Sequence, residues 1–126
     1  MLDFKKFLVI SVILDFLDSY STYYSVASGW GREANPVIAA QVNANPGFVF
    51  ALFFAYVVVT MAAYALWSRL YPRLPAFYRA RVDKFVSLAA VTAVGFKTAV
   101  IINNVLGIAV GFTPLAYLFE KIGLFK

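Results

Sequence analysis

From Gly47 to Ser68 the chain carries no charged residue. A helix needs about 20 mostly apolar residues to cross the hydrocarbon core of a bilayer, and this run, GFVFALFFAYVVVTMAAYALWS, supplies them. A buried helix of a soluble domain can be equally apolar, so the remaining residues decide. Of 126 residues 63% are hydrophobic and 13% charged, against roughly 45–50% and about 25% in soluble domains. A chain this short has too little interior to hide that surface from water. Composition excludes an ordinary soluble enzyme and a disordered chain. The expected fold is an all-α integral membrane protein.

Three spans are expected, at about 7–29, 47–69 and 85–107, in one membrane domain. Asn45-Pro46 opens the second as a cap and first-turn pair, and Tyr71-Pro72 closes it. A second Asn-Pro pair, Asn35-Pro36, brackets a stretch at 37–44 that is too short to cross. It is expected to be an interfacial or re-entrant helix. Thr113-Pro114 signals one more helix start. Leu115, Leu118, Phe119, Ile122 and Phe125 then recur at helical spacing, which predicts an amphipathic interfacial helix over 114–125. A fourth span is the alternative, but a turn at Asn103-Asn104 would leave two spans of only about 17–18 residues. Lys5-Lys6 followed by the apolar run 7–14 resembles a signal peptide. Asp15 and Asp18 directly after that run favour a retained helix.

There is no cysteine and no histidine. Zinc fingers, iron–sulfur clusters, His-ligated haem and His-based triads are thereby excluded within this chain. No cofactor, metal site or catalytic residue is assigned. The formal net charge is +5, and Arg69, Arg73, Arg79, Arg81 and Lys84 crowd one stretch opposed only by Asp83. By the positive-inside rule this basic loop is cytoplasmic, as is the N-terminus with Lys5-Lys6. The chain is then a multi-pass protein of the cell membrane, with its 29–45 loop outside. No nucleic-acid module accompanies the basic cluster, so no nucleic-acid partner is expected.

Asp15, Asp18 and Lys97 fall inside the expected spans. A charge at bilayer centre costs about 2.5–3.5 kcal/mol on insertion scales, so such residues persist when paired, hydrated, neutralised or useful. Counting from Phe7 and Phe85 at about 1.5 Å per residue puts Asp18 and Lys97 at nearly equal depth. They are expected to face each other, with Asp15 and Thr22 in the same intramembrane cluster. Ser11, Asp15, Asp18, Ser19, Thr22 and Ser25 form one stripe at spacings of three and four, and that stripe must face protein or water. Lys97 and Asn104 share a helix face. An outer polar cluster of Arg32, Glu33, Asn35, Asn103 and Asn104 is expected beyond them.

Asp18-x-x-x-Thr22, the turn Gly29-Trp30-Gly31 and then Glu33-Ala34-Asn35-Pro36 resemble the pattern of a group of small uncharacterised prokaryotic three-span membrane proteins. Those proteins carry an Asp-x-x-x-Thr helix followed by Glu-x-Asn-Pro. The resemblance covers residues 14–36. It implies that Asp18, Thr22, Glu33 and Asn35 act together, and it brings no activity with it.

Three readings of function follow. Three spans are few to enclose a pathway, so the first is a small protein acting through association. It would be an accessory or structural subunit or a homo-oligomer, with partner subunits or its own copies in the bilayer and an Asp/Lys pair fixing helix pairing. The alternative is proton or cation translocation by an oligomer through the Asp15/Asp18/Lys97 zone. The third is a membrane enzyme with a hard metal on carboxylates. It is disfavoured because Glu33 falls about 20 Å from the aspartates along a straight first helix.

Overall fold

The computed structural model describes residues 3–33, 35–111 and 113–123. Every regular element among them is helical: α1 (Phe4–Ala27), α2 (Ala39–Ala44), α3 (Phe48–Leu70), α4 (Ala76–Val110) and α5 (Pro114–Lys121), with a single 3₁₀ turn at Tyr71–Arg73 between α3 and α4. Phe125 and the side chain of Phe119, parts of the expected interfacial helix, lie outside the described residues.

Each helix end has a local cause. Asp3 caps α1, its carboxylate accepting from the amides of Lys5 and Lys6 at 3.1 and 3.4 Å. At the other end Gly29 takes φ +77°, a conformation costly for any residue with a Cβ. The Trp30 and Gly31 amides then donate back to the Ser25 carbonyl. Both Asn-Pro pairs make the same turn: Asn35 Oδ1 accepts from Val37 N at 3.0 Å and Asn45 Oδ1 from Gly47 N at 3.2 Å. Pro75 opens α4 where a proline costs no hydrogen bond, and Gly111, at φ +69°, ends it.

The central element is α1. It runs antiparallel to α3, since Phe4 stacks on Trp67 and Tyr64 at one end while Tyr23 meets Phe50 at the other. It runs parallel to α4, as the pairings of Lys97 and Asn104 show. Both α3 and α4 pack chiefly on α1 rather than on each other. Between the helices the buried side chains are small or hydroxylated: Ser11, Ser21, Thr60, Ala90, Val42 and Val49. Large apolar residues point outward, among them Val58, Phe85 and Leu88, each about two-thirds exposed or more. That is the reverse of a water-soluble core.

Two helices are long and apolar enough to cross a membrane, α3 with its following turn and α4, at mean hydropathy 2.2 and 2.0. Only 11% and 6% of their most apolar stretches are buried inside the protein. A core helix of a soluble domain would be mostly covered. The expected basic loop is mostly helix. Arg69 lies in the last turn of α3, Arg73 ends the 3₁₀ turn, and Arg79, Arg81 and Lys84 lie on the first turns of α4, because Pro75 starts that helix well before the apolar residues begin. The helix expected at 37–44 is shorter, and the one expected at 114–125 closes at Lys121.

Candidate functional site

The polar stripe of α1 faces α3 on one side and α4 on the other. Lys97, from the middle of α4, pairs with Asp15; their side chains are 24% and 14% exposed. The expected partner was Asp18, and the difference is one helical turn. Counting from the two hydropathy edges set Phe85 level with Phe7, whereas the observed pairing is 82 residues apart in sequence and sets Phe85 level with Asp3. Lys97 also sits 4.7 Å from the centre of the Tyr56 ring, and the Tyr56 hydroxyl bonds Ser11. One ammonium is thus held by a carboxylate of α1 and an aromatic face of α3.

One turn further along α1, Asp18 is served by Asn104. Its amide nitrogen lies 3.4 Å from Asp18 Oδ1, 3.2 Å from Ser21 Oγ and 3.3 Å from Thr22 Oγ1. Asn103 takes a separate role. Its Oδ1 accepts from the amide of Leu115 at 2.7 Å, satisfying an orphan donor in the first turn of α5. The expectation of one outer cluster that joins both asparagines with Glu33 and Asn35 is therefore corrected: Asn104 bonds the α1 stripe and Asn103 the start of α5.

Glu33 is brought inward. Asn43 on α2 clamps its backbone, accepting from Glu33 N at 2.8 Å and donating to Glu33 O at 3.3 Å. The Glu33 carboxylate accepts from the amide of Asn35 at 2.7 Å. Folded this way, Glu33 lines the same cleft as Asp15 and Asp18, close enough to Asp18 for their charges to interact. The straight-helix separation of about 20 Å does not apply, since the chain doubles back after Gly29. Arg32 stays exposed and forms no ion pair among the described residues.

The cleft has a volume of about 240 Å³. Its polar wall is Asp15, Asp18, Ser19, Thr22 and Glu33; its apolar wall is Ile38, Val49, Leu52, Phe53 and Tyr56. Tyr56 and Asn43 were missed from sequence. A tyrosine halfway along a charge-free apolar run, away from both ends where aromatic belts lie, was the available signal for Tyr56. Asn43 had none, because its partner is ten residues away across a loop. Among the described residues no group of three carboxylates lies close enough to hold a metal ion. Arg69, Arg73, Arg79, Arg81 and Lys84 lie at the far end of the helices and take no part in the cleft.

No curated protein and no solved structure matches the chain. Residues 9–110 match the family described as Domain of unknown function (DUF5658). That stretch takes in α1 from Val9 onward, the returning loop with Glu33, α3 and α4, and so every residue that lines the cleft. The chain belongs to this family.

Proposed function

We propose that the chain is a three-span integral membrane protein that binds a small monovalent cation, or a proton, in the cleft between α1 and α3. The observation that carries this reading is a charge excess. Asp15, Asp18 and Glu33 share one cleft, and Lys97, the only basic group bonded there among the described residues, is committed to Asp15. Ionised carboxylates without counter-charge are costly at membrane depth, and uptake of a cation lowers the cost. The spread of the carboxylates suits a single charge better than a multiply coordinated metal.

In this reading α1 is the third span. Its two aspartates lower its hydropathy, and its polar stripe is covered by α3 and α4 rather than by lipid. The basic end lies in the cytoplasm by the positive-inside rule, so the cleft opens outward. On its inner side the Tyr56–Ser11 contact and the aromatic stack of Phe4, Tyr64 and Trp67 close the path. The Asp-x-x-x-Thr and Glu-x-Asn-Pro pattern then marks the two lips of the cleft, Asp18 and Thr22 on α1 and Glu33 on the returning loop.

The test is calorimetric titration of the purified chain in detergent with sodium, potassium and methylammonium, alongside proton uptake by proteoliposomes. Saturable binding or uptake is expected, lost in Asp18→Asn with helix content unchanged. Absence of every such signal in the wild-type chain overturns the reading. A second reading, association with other membrane subunits or with further copies, is favoured by one feature: the outer face of α4 carries a groove floored by Ala89, Thr92 and Ala93 between Phe85 and Phe96, and small residues let helices approach closely. Native mass spectrometry of the extracted chain decides it, a stable larger assembly being the supporting result.

A further inference from the structure

The end of the molecule remote from the cleft holds the start of α1, the finish of α3 and the first turns of α4. Lys5, Lys6, Arg69, Arg73, Arg79, Arg81 and Lys84 all lie there, against Asp3 and Asp83 alone among the described residues. These groups sum to +5, equal to the formal net charge of the full sequence.

Most of that charge is unspent inside the protein. Asp83 is engaged by the Tyr71 hydroxyl, 2.8 Å from both carboxylate oxygens, rather than by an arginine. Arg79 alone is folded inward, donating to the carbonyls of Leu74 at 2.7 Å and Pro72 at 2.5 Å, which pins the turn between α3 and α4. Arg69, Arg73, Arg81 and Lys84 are exposed and form no ion pair among the described residues. The Arg81 guanidinium lies 4.3 Å over the Phe77 ring, and Trp67 stacks on Tyr71.

The height of these cations follows from helix register. The offset of 82 between Asp15 and Lys97 sets Phe4 level with Val86, so α4 projects past the start of α1 by about 15 Å at 1.5 Å per residue. A headgroup layer is about 5–8 Å deep on each side. With the hydrocarbon edge at the start of α1, Lys84 and Arg81 stand about 3 and 8 Å beyond it, in that layer and beside aromatic rings of the kind that favour this depth.

We propose that Arg69, Arg73, Arg81 and Lys84 form a binding surface for anionic lipid headgroups, taking the phosphodiester charge of the inner leaflet. The surface depends on the chain lying in a membrane and not on the cation reading of the cleft. Each basic residue near an anionic surface is worth roughly fivefold in binding, so four predict a strong preference for charged over zwitterionic lipid.

The experiment is native mass spectrometry of the full chain in detergent, titrated with phosphatidylglycerol or phosphatidylcholine. At least a tenfold preference for phosphatidylglycerol is expected, weakening as salt rises. Changing all four residues to Gln should abolish it, and changing the three arginines to Lys should keep most of it. Each single Gln variant should lose severalfold, which serves if the fourfold variant does not fold. Asp18→Asn should leave the preference intact, separating this outcome from any failure of the cleft reading. Equal retention of both lipids, an unchanged preference in the Gln variants, displacement by inorganic phosphate at equal concentration, or binding of an RNA oligonucleotide that survives lipid saturation would each overturn the proposal.

Discussion

Removing the ammonium at Lys97 is the sharpest probe of how the helices are held. In Lys97→Met the side chain keeps most of its length and loses its charge. Asp15 then remains against α4 without a partner, only 14% exposed. Breaking a buried ion pair by deleting one member costs about 3–5 kcal/mol. The partial exposure of Lys97, 24%, places this pair toward the low end, about 3 kcal/mol. Loss of the ammonium from the Tyr56 ring contributes about 0.5–2 kcal/mol of that. Replacing both partners, Asp15→Leu with Lys97→Met, leaves no orphan charge and should recover about 2 kcal/mol, since a well-packed apolar pair is often as stable as the ion pair it replaces. Reversible unfolding in mixed micelles, followed by far-ultraviolet circular dichroism, measures the complete cycle. A single variant as stable as wild type, or a double variant no better than the single, refutes the pairing.

Other perturbations address the supports of the site. Asn43→Ala removes both bonds that clamp Glu33, a loss of about 1–2 kcal/mol, so the Glu33 amide should exchange with deuterium about tenfold faster; unchanged exchange would show that the loop is held otherwise. A Cβ at Gly107 would lie 2.7 Å from Thr113 Cγ2, so Gly107→Ala should displace the start of α5 and cost about 1–3 kcal/mol. Protection of the Leu115 amide reports whether its bond to Asn103 is lost. Gly111→Ala, at φ +69°, should destabilise by about 1–2 kcal/mol, whereas Gly95→Ala, with open space around it, should be neutral or raise the melting temperature slightly. Equal effects at the two glycines would contradict the backbone geometry.

What was legible in the residues was whatever has a local cause. The charge-free run, the two Asn-Pro turns and the proline and glycine punctuation each act within a few positions, and α2, α3 and α5 begin where those signals lie. The polar stripe of α1 follows from helical periodicity alone. Register between helices was not legible. Hydropathy edges mark where lipid begins, not where helices meet, and α4 starts at Ala76, well before its apolar stretch, so Lys97 meets Asp15 instead of Asp18. The cleft was hidden for a different reason. Glu33 reaches it only because Gly29 reverses the chain and Asn43 holds the backbone ten residues away. A loop measured along a straight helix could not show that.

The central place of α1 has a consequence for biogenesis. Asp15 leaves the ribosome 82 residues ahead of Lys97, and Asp18 leaves well before Asn104. At translation rates of about 5–20 residues per second, Asp15 waits roughly 4–16 s for its counter-ion. During that interval α1, which carries Asp15 and Asp18, lacks α3 and α4, the helices that cover its polar stripe. In the three-span reading proposed above, newly made α1 is held by the insertion machinery or near the membrane surface until α4 arrives, and α4 completes the packing around it.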